Sequence, residues 1–516
     1  MSRALLVVFF GLSFLAGDLG CGAAQAEATK LETAQPGTAQ PGTTKSGETA
    51  LVAWQGPGFS GQEALLPGAV ISSFVGQDPA GQPRLWLLVA QSLPAAEAPR
   101  SLWRLDLSPQ PSLKRQARDL PKDLDQVLGL ETTDGAPSPL MLLGGGKLFT
   151  LEADGSLRQR LEDPILDGAR LRARVGPSAG PSPFLVRQAV GQLHLLNFRD
   201  GQLQRATTAA LPVSARRHRS YLEVASPATT GLRRPGTNPL YATGPEAHGS
   251  RRLRSVLFDP SAVTAEEATW ESWSQLPGNE EVAESWYGLL DGRPVLIVTT
   301  FSADKLGVFE KHRLRVWRLS PDRTRAGRRP ILQEITESRR WNSVEPVIAD
   351  VNGDGRDDLV LFQTEGMDDD KLSAEAFLGQ AGGQFQLTSR RTALATEASS
   401  WIFGNDVDGD GAPDLVALEK DQLLLFPGTG KESKKRWIEK QPALRIPLPR
   451  EAPAAQVVTL TVSPEAGKTD LEAQRKIDSR HLHWDDLDGD GVAEVWILET
   501  VASGQSLLRI LESFSP

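Results

Sequence analysis

The 516-residue chain holds one cysteine, Cys21, and only three methionines and three tyrosines. A single cysteine excludes an intramolecular disulfide and any zinc site built on cysteines. Beyond the first residues, no apolar run approaches the roughly 18 residues that a membrane-spanning helix needs. Positive charge is not in excess. Lys plus Arg is 56 against 65 for Asp plus Glu, a net charge of −9, and a general nucleic-acid binder would be basic. Long uninterrupted segments are scarce too, because Gly (48) and Pro (36) together make 84 of the 516 residues. That frequency leaves room for many short strands and few long helices. With 40% hydrophobic and 23% charged residues, the chain is not disordered as a whole.

The start of the chain reads as an export signal over residues 1–26. Arg3 supplies a positive charge, residues 4–16 (ALLVVFFGLSFLA) are apolar, and small residues follow. Two exits compete. Ala24-Gln25-Ala26 offers a small-x-small cleavage site. Leu19-Gly20-Cys21 resembles the end of a bacterial lipobox, with Asp18 where that motif usually has Leu. A lipid on Cys21 would be the one means of membrane attachment. The expected location is therefore the cell envelope, as an outer-membrane or periplasmic lipoprotein, or outside the cell. Residues 27–49 contain TAQPG twice and no aromatic residue. Such a Pro/Gly/Thr/Gln segment reads as a flexible linker.

The remaining chain, 50–516, repeats one pattern. Three copies are strong: Asp350-Val351-Asn352-Gly353-Asp354-Gly355-Arg356-Asp357-Asp358, Asp406-Val407-Asp408-Gly409-Asp410-Gly411-Ala412-Pro413-Asp414 and Asp486-Leu487-Asp488-Gly489-Asp490-Gly491-Val492-Ala493-Glu494. Each precedes a short apolar run. Fainter copies start at Pro83, Pro139, Pro183, Pro239 and Pro294. From Pro83 to Glu494 the anchors lie 56, 44, 56, 55, 64, 56 and 80 residues apart. Most gaps fit a four-stranded propeller blade with its loops. The expected fold is all-β, a seven- or eight-bladed β-propeller. The 80-residue gap is expected to hold an insertion within 431–476. The last copy looks one strand short, and residues 50–55 (ALVAWQ) are the candidate to complete it from the other end of the chain.

The acidic loops crowd oxygen donors around one point, with glycine at the sixth position for a sharp turn. That donor set suits a hard cation, and calcium accepts six to eight oxygens. An EF-hand is disfavoured. It needs Glu at the twelfth position and flanking helices, whereas Leu361, Ala417 and Ile497 stand there within strand-like runs.

The three loops resemble the FG-GAP or VCBS repeats of integrin α-chain propellers and many exported bacterial proteins, most strongly over residues 344–516. The resemblance implies that each loop joins the first two strands of a blade and binds Ca2+. The implied side-chain ligands are Asp350, Asn352, Asp354 and Asp358; Asp406, Asp408, Asp410 and Asp414; and Asp486, Asp488, Asp490 and Glu494. Backbone carbonyls of Arg356, Ala412 and Val492 complete the sets. The upstream copies lack these carboxylates, so no calcium is expected there. Glu494 departs from the usual Asp.

Catalytic motifs are missing from the sequence: no H-E-x-x-H, no G-x-S-x-G and no phosphate loop occurs. His481 and His483 lie two apart on a strand near Asp485, which suits an acid–base or metal pair less well than two exposed polar residues. Arg216, Arg217, Arg219, Arg233, Arg234, Arg251, Arg252 and Arg254 form a basic stretch. It suits a solvated face better than an anion site. The twelve tryptophans are expected in the core or between blades. The favoured reading is an exported, monomeric, non-catalytic binding module for a protein or glycan. The alternative is an enzyme on the same scaffold, a polysaccharide lyase or hydrolase or a quinoprotein-like dehydrogenase. Residues 144–157 (GGGKLFTLEADGSL) resemble a quinoprotein strand-turn.

Overall fold

The computed structural model describes residues 48–514 apart from 50, 78–82, 93–94, 108–110, 130–139, 153–154, 167–170, 174–183, 190–191, 200–201, 211–239, 246–252, 260–263, 271–280, 304–309, 319–328, 337–340, 366–370, 387, 399, 420, 431–435, 449–456, 463–470, 477–480, 486, 489–491 and 502. All belong to the compact unit Pro41–Pro516. The export signal, Cys21 and nearly all of the linker lie outside the described residues. Among the described residues the only helical element is a 3-10 turn at Pro164–Leu166, and none is long and apolar enough to cross a membrane.

Eight antiparallel meander sheets occur among the described residues, where seven or eight blades were expected. The first seven follow chain order. The first contains Val70–Gln77, Pro83–Ala90, Arg100–Asp106 and Ser112–Leu120. The fifth contains Glu281–Leu290, Arg293–Ala303, Glu310–Arg318 and Leu332–Thr336. The sixth contains Trp341–Ala349, Asp358–Glu365, Lys371–Phe377 and Arg390–Ala393. The seventh contains Ser400–Phe403, Leu415–Glu419, Gln422–Phe426 and Leu444–Pro447. The anchors Pro83, Pro294, Asp358, Asp414 and Glu494 each fall at or beside the start of a second strand, so the repeat period is one sheet. This succession of packed meanders is a β-propeller.

In the first, second, fifth, sixth, seventh and eighth sheets the second strand carries a run of buried apolar residues, because both faces are covered. Alternate side chains point to opposite neighbours, as the two-residue period of a strand requires. In the sixth sheet Val360 and Phe362 pack toward the seventh, while Leu359 and Leu361 pack toward the fifth. In the seventh, Leu415 and Ala417 face the sixth, and Val416 and Leu418 face the eighth. Trp496 and Leu498 of the eighth sheet meet Leu85, Leu87 and Trp103 of the first. The expected tryptophan packing holds for Trp103, Trp437 and Trp496, all buried in these clusters.

The insertion expected within 431–476 is present in the later part of that range, and the expectation for 50–55 needs correction. The extra hairpin in the long gap is Val457–Val462 with Leu471–Lys476. Residues 436–448 instead complete the seventh sheet, because Trp437, Ile438, Ile446 and Leu448 are buried there. The eighth sheet does draw on both chain ends, but 50–55 is not the strand that completes it. Phe59–Leu65 pairs with Ser506–Phe514, and Val52–Gly56 adds a fifth strand outside it. Phe59 and Ala64 reach the clusters on either side, whereas Val52 is exposed, so burial selects the later segment.

A buried ion pair holds this joint. Arg509 donates to Glu499 at 2.6 Å and to Glu63 on the N-terminal strand at 3.2 Å. Its guanidinium also lies 5.6 Å from the Trp54 ring centre. Glu499 and Arg509 are both buried, so removing one partner strands the other charge. Arg509→Met is expected to lower stability by about 3 kcal/mol, and Arg509→Met with Glu499→Leu to recover most of that loss. Urea unfolding of the two variants beside the parent checks it.

Candidate metal centre

The three acidic loops join the first strand of a sheet to its second, in the sixth, seventh and eighth sheets. The loops 350–358 and 406–414 are described throughout. In the third, Asp486 and Asp490 lie outside the described residues, while Asp488, Val492 and Glu494 lie within them.

The first two loops share one hydrogen-bond network. Gly355 and Gly411, at the sixth position, have φ of 84° and 87°. No atom lies within 4 Å of where a Cβ would stand at either. The left-handed conformation, not lack of space, demands glycine. That turn aims backbone amides at the first carboxylate. Gly355 N donates to Asp350 Oδ2 and Gly411 N to Asp406 Oδ2, both at 2.7 Å. The fifth-position amides donate to the first and third side chains together. Asp354 N reaches Asp350 Oδ1 at 3.1 Å and Asn352 Oδ1 at 2.9 Å. Asp410 N reaches Asp406 Oδ1 at 3.1 Å and Asp408 Oδ1 at 3.2 Å. Asp354 and Asp410 accept in turn from Arg356 N and Ala412 N at 2.9 and 2.7 Å.

The ninth position anchors the loop to its sheet. Asp358 and Asp414 are fully buried. Their Oδ2 atoms accept from the second-position amides, Val351 N at 3.1 Å and Val407 N at 2.8 Å. Their Oδ1 atoms accept from glycines just past the third strand, Gly379 N at 2.6 Å and Gly428 N at 2.8 Å. Glu494 repeats the first bond with Leu487 N at 2.6 Å. The second-position side chains Val351, Val407 and Leu487 are buried between their own sheet and the next.

The sequence reading missed Gly379 and Gly428. A Cβ on Gly379 would stand 2.3 Å from the Asp357 carbonyl oxygen, and one on Gly428 2.5 Å from that of Pro413. The available signal was F-x-G, in Phe377-Leu378-Gly379 and Phe426-Pro427-Gly428. In the eighth sheet Leu511 takes the place of Phe377 and Phe426 in the strand register. Ser513 then follows where those glycines stand, opposite the loop that carries Glu494.

Electrostatics oppose an empty cluster. Burial, partly offset by the two amide donors, pushes Asp358 and Asp414 up to about 7, and neighbouring loop carboxylates add to the rise. Asp408 is raised by burial and then by Asp410. Asp406, Asp408 and Asp414 each place an oxygen within 4.8 Å of the others, and among the described residues they are the one such group of His, Cys, Asp or Glu. The donors are all oxygens and mostly anionic, which fits a hard cation. The first loop has Asn352 at the third position, hence one charge fewer, and Arg356 lies 3.7 Å from Asp354.

Among the described residues the remaining candidates gather no second cluster of metal-binding side chains. His483 stacks on Trp496 with ring centres 4.1 Å apart, and Asp485 accepts from the Trp496 indole at 3.2 Å. Of residues 144–157, in which 153–154 lie outside the described residues, Gly144 ends the strand Leu140–Gly144, Lys147–Leu151 pairs with it, and Leu157 starts the next strand of the same sheet. In the basic stretch only Arg254 falls among the described residues, on Leu253–Asp259.

Stacked meanders carrying aspartate loops between first and second strands define a β-propeller with FG-GAP-like loops. Residues 350–417, which hold the first two acidic loops, match the FG-GAP-like repeat family. No curated protein sequence matches the chain. Among solved structures, the Dos1 propeller is similar at TM-score 0.41 and 8% identity, over 89% of this chain and 95% of that chain. An oligogalacturonate lyase in complex with manganese gives 0.39 and 12%, over 90% and 96%. The WD40 domain of SCAP from fission yeast gives 0.37 and 10%, over 87% of each. The propeller assignment follows from the chain's own strand order.

Two outcomes follow from this geometry. Gly428→Ala should lower the melting temperature more than Gly411→Ala, because the first meets backbone and the second only strain of about 1 kcal/mol. With a chelator present, stability should fall as pH rises from about 4 to 7. In that window folded Asp358 and Asp414 keep protons that the unfolded chain has released. Urea unfolding at pH 5 and pH 8 checks the sign, and Asp358→Asn with Asp414→Asn should flatten the difference.

Proposed function

We propose that this chain is an exported, calcium-stabilised β-propeller that acts as a binding module for a protein or glycan at the cell envelope or outside the cell. The observation that carries the reading is the convergence of Asp406, Asp408 and Asp414 in a loop whose backbone network recurs at Asp350–Asp358. Calcium would be held by Asp350, Asn352, Asp354 and Asp358 in one loop and by Asp406, Asp408, Asp410 and Asp414 in the next. The carbonyls of Arg356 and Ala412 would join them. The third loop would use Asp486, Asp488, Asp490, the Val492 carbonyl and Glu494. The cation would supply charge neutralisation. The residues themselves fix the turn, hold it to the sheet through the ninth carboxylate, and plug the inter-sheet core through the second side chain. Binding free energy of such a site is folding free energy. The N-terminal segment 1–26 supports export, and Cys21 supports a lipid anchor.

Thermal unfolding of residues 51–516 with calcium and with chelator tests the reading. Calcium at about 100 times its dissociation constant stabilises by about 2.7 kcal/mol per site. The melting temperature should rise accordingly, and Asp354→Ala/Asp410→Ala/Asp490→Ala should abolish the rise. Identical melts would overturn the calcium reading. Release of reducing ends from a polysaccharide by the parent protein would overturn the non-catalytic one.

A further inference from the structure

One residue of the first loop acts outside its own sheet. Asp357 holds the eighth position, which is not among the proposed ligand positions. It exchanges hydrogen bonds with Asp291 of the fifth sheet, 66 residues earlier. Asp291 N donates to Asp357 Oδ2 at 2.5 Å, and Asp357 N donates to Asp291 Oδ1 at 3.1 Å. Asp291 and Gly292, with φ of 48° and 72°, form the two-residue turn between Glu281–Leu290 and Arg293–Ala303. Both positive angles match a type I′ hairpin, in which Asp-Gly is favoured. This turn occupies the same place in the fifth sheet that the acidic loop occupies in the sixth.

The contact is particular to the first loop. The eighth position of the second loop is Pro413, which has no amide hydrogen and no carboxylate, and that of the third is Ala493. The clasp therefore lies where a sheet with a ligand loop meets one without. The same boundary is packed by Leu290, Ile297, Leu359 and Leu361 and bridged again by Arg318, which donates to the Gly383 carbonyl at 2.6 Å.

We propose that the Asp291–Asp357 clasp couples cation occupancy of the 350–358 loop to the fifth sheet. Two physical effects act together. A cation that orders the loop fixes the amide and carboxylate of Asp357 in advance, so the clasp forms at lower entropic cost. The clasp also brings two carboxylates beside one another, and a nearby divalent cation offsets their repulsion. The inference rests on the calcium reading above, and the test separates the two.

Hydrogen exchange of the full chain with and without calcium is compared for the parent and for Asp291→Gly. Glycine accepts the left-handed turn and keeps the amide, so this variant removes the carboxylate without straining the hairpin. In the parent, calcium should slow exchange in peptides covering 350–365 and also in those covering 285–297, the latter by about fivefold for one hydrogen bond's worth of coupling. In Asp291→Gly, which loses the bond from Asp357 N but keeps the one from the residue-291 amide, the first effect should persist and the second should shrink, while Asp291→Asn should restore part of it. Protection of 350–365 alone in the parent, or equal protection of 285–297 in Asp291→Gly, would overturn the coupling and leave the calcium reading standing. No response in either segment would overturn both.

Discussion

The second strands of six sheets are apolar on both faces, and the architecture follows from the need to cover both. Leu359 and Val360 are neighbours in sequence, yet they are buried against different sheets. Burying one such side chain is worth about 2 kcal/mol, and in this arrangement half of the burial depends on each neighbour. A sheet taken alone would leave one apolar face in water, and a row of sheets would leave two at its ends. The chain avoids this by making the eighth sheet from both of its termini. Leu66, Trp496 and Leu508 then meet Leu87 and Trp103 in one core.

The acidic loops are part of that packing, not appendages to it. Their second residues, Val351, Val407 and Leu487, sit in the cores between successive sheets. Their ninth residues are buried carboxylates tied by amides to the loop and, in the sixth and seventh sheets, to the next strand. Each loop therefore carries an apolar plug and a buried acid within nine residues. The plug favours the folded sheet, and the acid disfavours it unless a proton or cation neutralises the charge. This opposition gives the loops a stability that depends on what they hold.

Much of this was legible because the informative residues are spaced locally. The aspartate frame and the apolar run after it lie within about 15 residues, and the anchors Pro83 and Pro294 mark second strands in sheets whose loops lack the carboxylates. What was not legible depends on distant partners. Phe59–Leu65 contains Gly61, Gln62 and Glu63 and reads as a polar connector. It becomes a strand only because Ser506–Phe514, more than 440 residues away, offers an open edge. Gly379 and Gly428 look like ordinary turn residues until the Asp357 and Pro413 carbonyls are seen pressed against them. Asp357 reads as a spare carboxylate beside Asp358, since nothing in a nine-residue frame points to Asp291.

The placement of the three loops has a mechanical logic. The chain runs on from each sheet to the next, and from Phe59–Leu65 of the eighth directly into Val70–Gln77 of the first, so the seam held by strand pairing and packing lies inside the eighth sheet, between Phe59–Leu65 and Ser506–Phe514. Loop plugs stand at the boundaries from sixth to seventh, seventh to eighth and eighth to first, through Val351, Val407 and Leu487 respectively. The last of these lies in the same cluster as Leu66 and Trp103, at the joint itself. Arg509 reinforces that joint from within the eighth sheet, where Glu499 stands five residues after Glu494, as Gln363 follows Asp358 and Glu419 follows Asp414. Gln363 donates to Glu375, and Glu419 accepts from Thr396 on the connection between the sixth and seventh sheets. Each strong repeat thus has a buried acid at one end of its second strand and a polar tie at the other. Both are concentrated in the third of the chain that must close on the N-terminal strands. The acidic loops thus cluster in the last three sheets, beside the seam where Phe59–Leu65 pairs with Ser506–Phe514.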